Sequence, residues 1–399
     1  MGRGSLDSIG EGSRRAWWVT GVVAFALFMD YLVYGAFGPL TLYSPVKLAG
    51  ETQFGLLYAA YSIGLLVATP VFGYLGVRLG LKRTMICGVA LLAAGVLLFW
   101  FASGFALLFL ARLLEGGAAA ATWTAGLSLI ATYHVKRRVE MMGYALVAST
   151  AGSILGPAAG GLLDQLGGYS LPLALMTALI AIDAALRIAV LPADKPEDQS
   201  TVPWGDLLTD KAVLVPAAAV ALAAVGWSIT EPLLPAELGR DGLSAAEIGL
   251  VVTLSTIAYG LSAPLVSWVS MRVPIRKVIA AGTLAMALAL PSLSLLHGMA
   301  GVTIGLCLVS VAYAFMLNPT TAELGNAVDR RGLTCYSAVY AIYNIAYSLG
   351  MMSTDAFASA AASSLGFLPT LLCVGAVLIL AVPFLLRTAP TPAASSQPS

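Results

Sequence analysis

The sequence predicts an all-α membrane protein of twelve transmembrane helices, arranged as two pseudo-symmetric six-helix bundles. Three observations predict it. Hydrophobic residues make up 59 % of the 399 residues and charged residues only 10 %, whereas a soluble domain carries roughly 25 % charge. So little charge cannot cover a soluble surface. Charges and turn residues then cut the chain into twelve apolar stretches, each near the ~20 residues that a helix needs to cross a bilayer. Finally, one pattern of basic residues occurs twice, once in each half. The same composition excludes disordered, collagenous, coiled-coil and nucleic-acid-binding classes, so no nucleic-acid partner is expected. A net charge of +1 says nothing further about partners.

The spans are expected near 17–41, 52–76, 84–102, 105–132, 138–165, 171–191, 213–238, 246–270, 276–297, 300–324, 334–361 and 367–388. The first run is too long for a cleavable signal peptide, follows Arg14 and Arg15 and lacks a cleavage site. Lys and Arg set the orientation. With the N-terminus in the cytoplasm, all of the 21 basic residues except Lys47, Arg240 and the intramembrane Arg112 fall inside. Short loops that keep Lys and Arg on one side obey the positive-inside rule. Both termini are therefore expected in the cytoplasm, and the membrane is expected to be the cell's inner (plasma) membrane.

The longest connection lies between spans six and seven. It contains the polar ADKPEDQ and then VPWGDLL, whose Trp204, Leu207 and Leu208 are expected to face lipid in the interface. The segment Gly73-Tyr-Leu-Gly-Val-Arg78-Leu-Gly80-Leu-Lys82-Arg83 after span two matches Ser267-Trp-Val-Ser-Met-Arg272-Val-Pro274-Ile-Arg276-Lys277 after span eight. Their three basic residues coincide at one offset. The expected organisation is a tail at 1–16, a six-helix bundle at 17–191, a cytoplasmic linker at 192–212, a second bundle at 213–388 and a disordered tail at 389–399. Duplicated bundles joined by a polar linker fit a transporter that rocks about a central site. Cys87, Cys307, Cys335 and Cys373 lie far apart without a CxxC pair, which argues against a disulfide framework or a zinc site. No metal and no cofactor is expected. There is no Walker loop, nucleophile elbow or HExxH, so the chain reads as no enzyme and its energy must come from a gradient.

These residues resemble the major facilitator superfamily. GYLGVRLGLKR looks like its signature after the second helix, with Val77 where the family has an acidic residue. Arg112-Leu-Leu-Glu115-Gly116-Gly117 resembles the arginine motif of its fourth helix. Gly152-Ser-Ile-Leu-Gly156-Pro157-Ala-Ala-Gly160-Gly161 resembles the span-five motif associated with antiporters. The resemblance implies the major facilitator fold and gating roles for Gly73, Arg78, Gly80, Lys82, Arg83, Gly152, Gly156, Pro157 and Gly160. In the C-terminal half, Ser228-Ile-Thr-Glu231-Pro232-Leu-Leu-Pro235 and Tyr336-Ser-Ala-Val-Tyr-Ala-Ile-Tyr343-Asn344-Ile-Ala-Tyr-Ser-Leu-Gly350 are similar to the vesicular amine transporters, as is Asp30 in span one. That group's membrane lysine falls on Tyr61 and its span-eleven aspartate on Asn344. The resemblance implies a drug–proton antiporter related to that group.

An ionisable side chain mid-membrane costs about 2.5–3.5 kcal/mol on insertion scales, so it faces a cavity or a partner. Asp30 reads as a counter-ion for a cation, a proton carrier, or a hydrogen-bond partner to another helix. Tyr31 and Tyr34 flank it and offer cation–π faces or ordinary packing. Glu231 precedes Pro232, which frees a backbone carbonyl one turn back; it reads as a proton site or as a rim residue meeting water. Arg112 has Glu115 three residues on, on one helix face. It reads either as a fixed charge that helps a carboxylate release its proton or as half of a static pair. Asp355 stands at the proline position of the glycine motif's repeat partner, as a second acidic site or a rim residue. Gly152, Gly156 and Gly160 form a stripe that serves as a seal between halves or as helix packing. Tyr58, Tyr61, Trp123, Trp227, Tyr340, Tyr343 and Tyr347 are candidate cavity aromatics. Asp183 and Arg187, four apart, read as a structural pair, and His134 and His297 receive no role.

The expected function is a monomeric, proton-coupled antiporter in the lipid bilayer that exports small amphipathic or cationic compounds by alternating access. Its partners would be a small-molecule substrate and protons. The alternatives are a symporter or facilitator of a neutral metabolite, and a lipid or glycolipid flippase or a membrane receptor.

Overall fold

The computed structural model describes residues 14–43, 46, 51–193, 204–230, 234, 237, 238, 243, 245–330 and 336–387. Among them every regular element is a helix. Six precede the linker: α1 (Arg14–Tyr43), α2 (Glu51–Leu79), α3 (Leu81–Trp100), α4 (Phe105–Tyr133), α5 (Arg138–Gly167) and α6 (Ser170–Val190). The short α7 (Trp204–Thr209) leads into α8 (Lys211–Ser228), α9 (Ala245–Ser270), α10 (Ile275–Ala289), α11 (Ser292–Leu295), α12 (Gly298–Arg330), α13 (Tyr336–Leu365) and α14 (Phe367–Arg387). Eleven stretches of the described residues are long and apolar enough to cross a membrane. The 30-residue α13 stands at the remaining expected span. The protein is a multi-pass, all-α membrane protein.

Contacts divide the chain into two compact units. One is Met1–Gln199 with Tyr336–Ser348; the other is Ser200–Cys335 with Leu349–Ser399. Within the first, α4 packs on α2 and α3, and α3 packs on α6. Within the second, α12 packs on α9 and α10, and α10 packs on α14. Each unit repeats the same helix pairs in the same chain order, as a duplicated bundle requires.

Local chemistry explains the boundaries. The signature glycine Gly80 joins α2 to α3 with φ of 95°, a left-handed conformation that glycine adopts without a Cβ penalty. The side chain of Asp210 accepts a 2.8 Å hydrogen bond from the Ala212 amide and so caps α8, an interaction worth about 1 kcal/mol. The expected ninth span is broken into α10 and α11 at Leu290–Pro291, because a proline removes a backbone donor and clashes with the preceding turn. The tenth span runs on to Arg330 instead of ending at 324. Its polar last turns stay helical, and Arg330 pairs with Glu323 at 2.8 Å. Leu207 is buried and Leu208 is half exposed. Of the two, only Leu208 fits the expected lipid-facing side; the side chain of Trp204 lies outside the described residues.

The glycine stripe of α5 has its nearest neighbours on α1. A Cβ on Gly152 would strike the Phe28 carbonyl, and one on Gly156 would fall 2.5 Å from the Leu32 carbonyl and 2.8 Å from the Ala36 amide. On the opposite side, a Cβ on Gly35 would fall 3.0 Å from Cδ of Pro157. The stripe therefore lets α5 pack closely on α1 within one unit. Gly156→Val should push the two helices apart and cost about 1–3 kcal/mol, the usual overpacking penalty. A thermal melt of the purified protein in detergent checks this, and an unchanged midpoint would contradict the tight contact.

Candidate functional site

Apolar side chains of α1, α3, α4 and α6 build the core of the first unit, among them Val33, Phe37, Val96, Phe99, Leu173 and Met176. Into this core the sequence places five ionisable residues, Asp30, Arg112, Glu115, Asp183 and Arg187, that satisfy one another or a neighbouring helix.

Asp30 is 3 % exposed. Its Oδ2 accepts a 3.0 Å hydrogen bond from Nε1 of Trp123 on α4. The indole is itself held by rings: Tyr31 meets it edge-on at 5.8 Å, and Tyr343 of α13 stacks on it at 6.4 Å with an interplanar angle of 13°. Tyr347 continues the stack at 6.1 Å from Tyr343. One α-helical turn separates Tyr343 from Tyr347, so both rings share a face. A single carboxylate is thus held by the edge of an indole that is itself packed in a stack of aromatic rings. The charged groups whose fields act on it are Arg187, Glu115 and Arg112.

Arg112 is fully buried on α4. Its NH1 donates to Oε2 of Glu115, and its Nε donates to the Leu57 carbonyl at 3.4 Å. Three rings surround the guanidinium carbon, at 4.0 Å for Phe37, 4.9 Å for Tyr61 and 5.3 Å for Tyr34. Tyr34 and Tyr61 also touch each other, with centroids 4.7 Å apart. The aromatic residue at the position of the group's lysine therefore faces a cation supplied by α4. Gly116 makes this possible, since a Cβ there would overlap the Tyr61 carbonyl.

Asp183 and Arg187 are wholly buried, with contacts of 2.6 Å and 3.1 Å between their forked ends. Arg187 also donates to the Met85 carbonyl at 2.7 Å and to Thr122 Oγ1 at 3.2 Å. One guanidinium thereby ties α6 to α3 and α4. Such a pair stands only where its remaining donors are satisfied.

Residues 336–348 of α13 join the first unit through named contacts. Nδ2 of Asn344 donates to Thr124 Oγ1 at 2.9 Å. NH2 of Arg138 donates to the Tyr336 hydroxyl at 2.9 Å, while its guanidinium carbon lies 5.1 Å from the centre of that ring. Tyr340 donates to Met142 Sδ at 3.7 Å. A Cβ on Gly76 would fall 2.5 Å from Ser337 Oγ, so the signature segment of α2 abuts the start of α13.

The structure thus brings Asp30, Tyr34, Tyr61, Arg112, Tyr343 and Asn344 into one unit, in two adjoining clusters. Glu231 and the side chain of Asp355 lie outside the described residues. In the basic signature, Lys82 Nζ donates to the Ile188 and Leu191 carbonyls at 2.6 and 2.9 Å and so caps α6. Arg78 lies 5.0 Å over the Tyr74 ring, Arg83 is exposed and Gly73 is buried. Sequence reasoning listed Trp123 among cavity aromatics but missed its bond to Asp30, and it missed Thr124, Arg138 and Tyr336. The two residues of each pair lie far apart in the chain, so no spacing rule connects them. The second unit holds a smaller polar cluster. Trp227 stacks on Tyr313 at 4.9 Å, Tyr313 lies 5.8 Å from Tyr259, and the Tyr259 hydroxyl donates to Oδ1 of Asn318 at 2.9 Å. Among the described residues no group of His, Cys, Asp or Glu has the geometry of a metal site.

Comparison with known proteins gives three kinds of likeness. The chain is 26 % identical over 350 residues to the human synaptic vesicular amine transporter, covering 85 % of this chain and 68 % of that one. It is 27 % identical over 358 residues to the human vesicular acetylcholine transporter, covering 84 % and 65 %. Among solved structures, the transporter FucP in its outward conformation matches with a TM-score of 0.71 at 18 % identity, over 94 % of this chain and all of the other. That likeness concerns the fold. The family model of the Major Facilitator Superfamily matches residues 22–221 and again 216–399, nearly the whole chain and one match per half, so the chain belongs to the Major Facilitator Superfamily of transporters.

Proposed function

We propose that this transporter is a proton-coupled antiporter that exchanges small cationic or amphipathic compounds, amine-like in character, for protons by alternating access. The observation that carries the proposal is Asp30, a buried carboxylate that accepts from Trp123, whose indole packs against Tyr31 and Tyr343. A buried carboxylate needs a compensating charge or proton. Aromatic faces attract cations. A group with both features binds an organic cation and a proton in alternation. The likeness to amine and acetylcholine transporters supports the same substrate class. Glu231 is the second carboxylate of the scheme, from its place before Pro232 in the sequence, and Asp355 is a further acidic candidate. The expected bundles at 17–191 and 213–388, the linker at 192–212, the inner-membrane location, the monomeric state and the cytoplasmic termini complete the proposal. A cysteine placed in the linker should react with an impermeant reagent only from the cytoplasmic side; labelling in intact cells would overturn the orientation.

The binding half of the proposal is tested with permanently charged probes. Phenyltrimethylammonium carries no exchangeable proton, so any acid released when it binds comes from the protein. The purified transporter in weakly buffered detergent should release protons on its addition. Binding without proton release would remove the antiport reading.

A further inference from the structure

The Arg112–Glu115 pair has a feature that a static buried ion pair does not need. Glu115 is 4 % exposed and bound to Arg112. A small cavity adjoins it, walled by Val33, Phe37, Val96, Phe99, Leu173 and Met176. Among the described residues Glu115 is its one ionisable lining residue, and the space is the size of about one water molecule. Gly95 on α3 leaves room for the carboxylate, since a Cβ there would fall 3.0 Å from Glu115 Cγ.

The other side of the pair is equally specific. If a proton neutralised Glu115, Arg112 would remain charged, because a guanidinium does not lose its proton in a protein. In an ordinary core that would leave a cation unpaired. Here the guanidinium keeps the faces of Phe37, Tyr61 and Tyr34 and the Leu57 carbonyl. None of these contacts depends on the charge of Glu115.

Resting on the antiport reading above, we propose that Glu115 is a further proton-carrying carboxylate of this transporter. It alternates between an ion pair with Arg112 and a neutral acid facing the cavity. In the step, a carboxylate oxygen takes a proton from a hydronium ion reaching the cavity, leaving neutral water, and later returns it to a water to form hydronium; one O–H bond forms as another breaks. The groups acting on this position are Arg112 on its own helix, Asp30 on α1 and Tyr61 on α2; α3 contributes Gly95. Glu115 and Asp30 act on each other through their charges, so loading one with a proton changes the ease of loading the other.

Two measurements on the full chain in lipid test this. Infrared difference spectra across an alkaline-to-acid step should show a carboxylic-acid carbonyl band in the wild type. That band should be missing in Glu115→Gln and displaced in Glu115→Asp. Gln keeps an oxygen for Arg112; if it still fails to fold, the displaced band of the Asp variant carries the test. In proteoliposomes, the number of protons exchanged per phenyltrimethylammonium should fall by about one in Glu115→Gln, while substrate-for-substrate exchange persists. Identical bands in all three proteins, or an unchanged proton ratio, would overturn the proposal. If the wild type fails to move the probe, the antiport reading fails separately, and the infrared bands still decide whether Glu115 takes a proton.

Discussion

Asp30→Asn should weaken binding of phenyltrimethylammonium by about 2–5 kcal/mol, the usual cost of removing one partner from a desolvated charge pair. That is roughly 30-fold to several thousand-fold in affinity. Binding of tert-butylbenzene, the neutral analogue of the same shape, should change little. The contrast isolates charge from packing. Asparagine keeps the volume of aspartate and an oxygen that accepts from Trp123 Nε1, so the 3.0 Å contact between α1 and α4 survives. Equal losses for both ligands, read by direct binding to the purified variant, would mean that Asp30 supports the fold and does not pair with the cation.

Glu231→Gln should abolish accumulation driven by a pH gradient and leave substrate-for-substrate exchange intact with little pH dependence. Antiport requires a group that changes charge between the proton-loaded and substrate-loaded states, since a ligand shifts an equilibrium only through differential affinity. Arg112 cannot serve, because it keeps its proton. Tyr61 and Asn344 stand where the amine-transporter resemblance has a lysine and an aspartate, so the remaining carboxylates must carry the coupling. Glutamine mimics the permanently protonated state. A Glu231→Gln transporter that still concentrates substrate under an imposed pH gradient would move the coupling to Asp30, Glu115 or Asp355.

The fold was legible because it depends on composition and spacing. Apolar runs of bilayer length, basic loops and a repeated R-x-x-x-K/R-R/K segment each report on one bundle of helices. Pro291 was legible too, but the span was read through it, since a single proline is often tolerated within an apolar run. The extension of α12 to Arg330 escaped notice because its last turns are polar, and hydropathy reports the membrane and not the helix. The site divided along the same line. Asp30, Arg112 and Glu115 declared themselves as ionisable residues in apolar surroundings. Their partners did not. Trp123 lies on another helix from Asp30, and Tyr61 faces Arg112 only because Gly116 admits α2. Lys82 looked like part of a gating signature, and its capping of α6 depends on where the end of that helix falls in space.

In the proposed cycle an organic cation moves against its gradient at the expense of a proton gradient. Phenyltrimethylammonium uptake into proteoliposomes with an acidic interior tests it most directly. A permanent charge prevents the trapping that a weak base undergoes in an acidic vesicle, so accumulation must be carried by the protein. Uptake should rise above the external concentration, collapse when nigericin dissipates the pH gradient, and be missing from empty liposomes. Uptake indifferent to nigericin, or equilibration without accumulation, would contradict it.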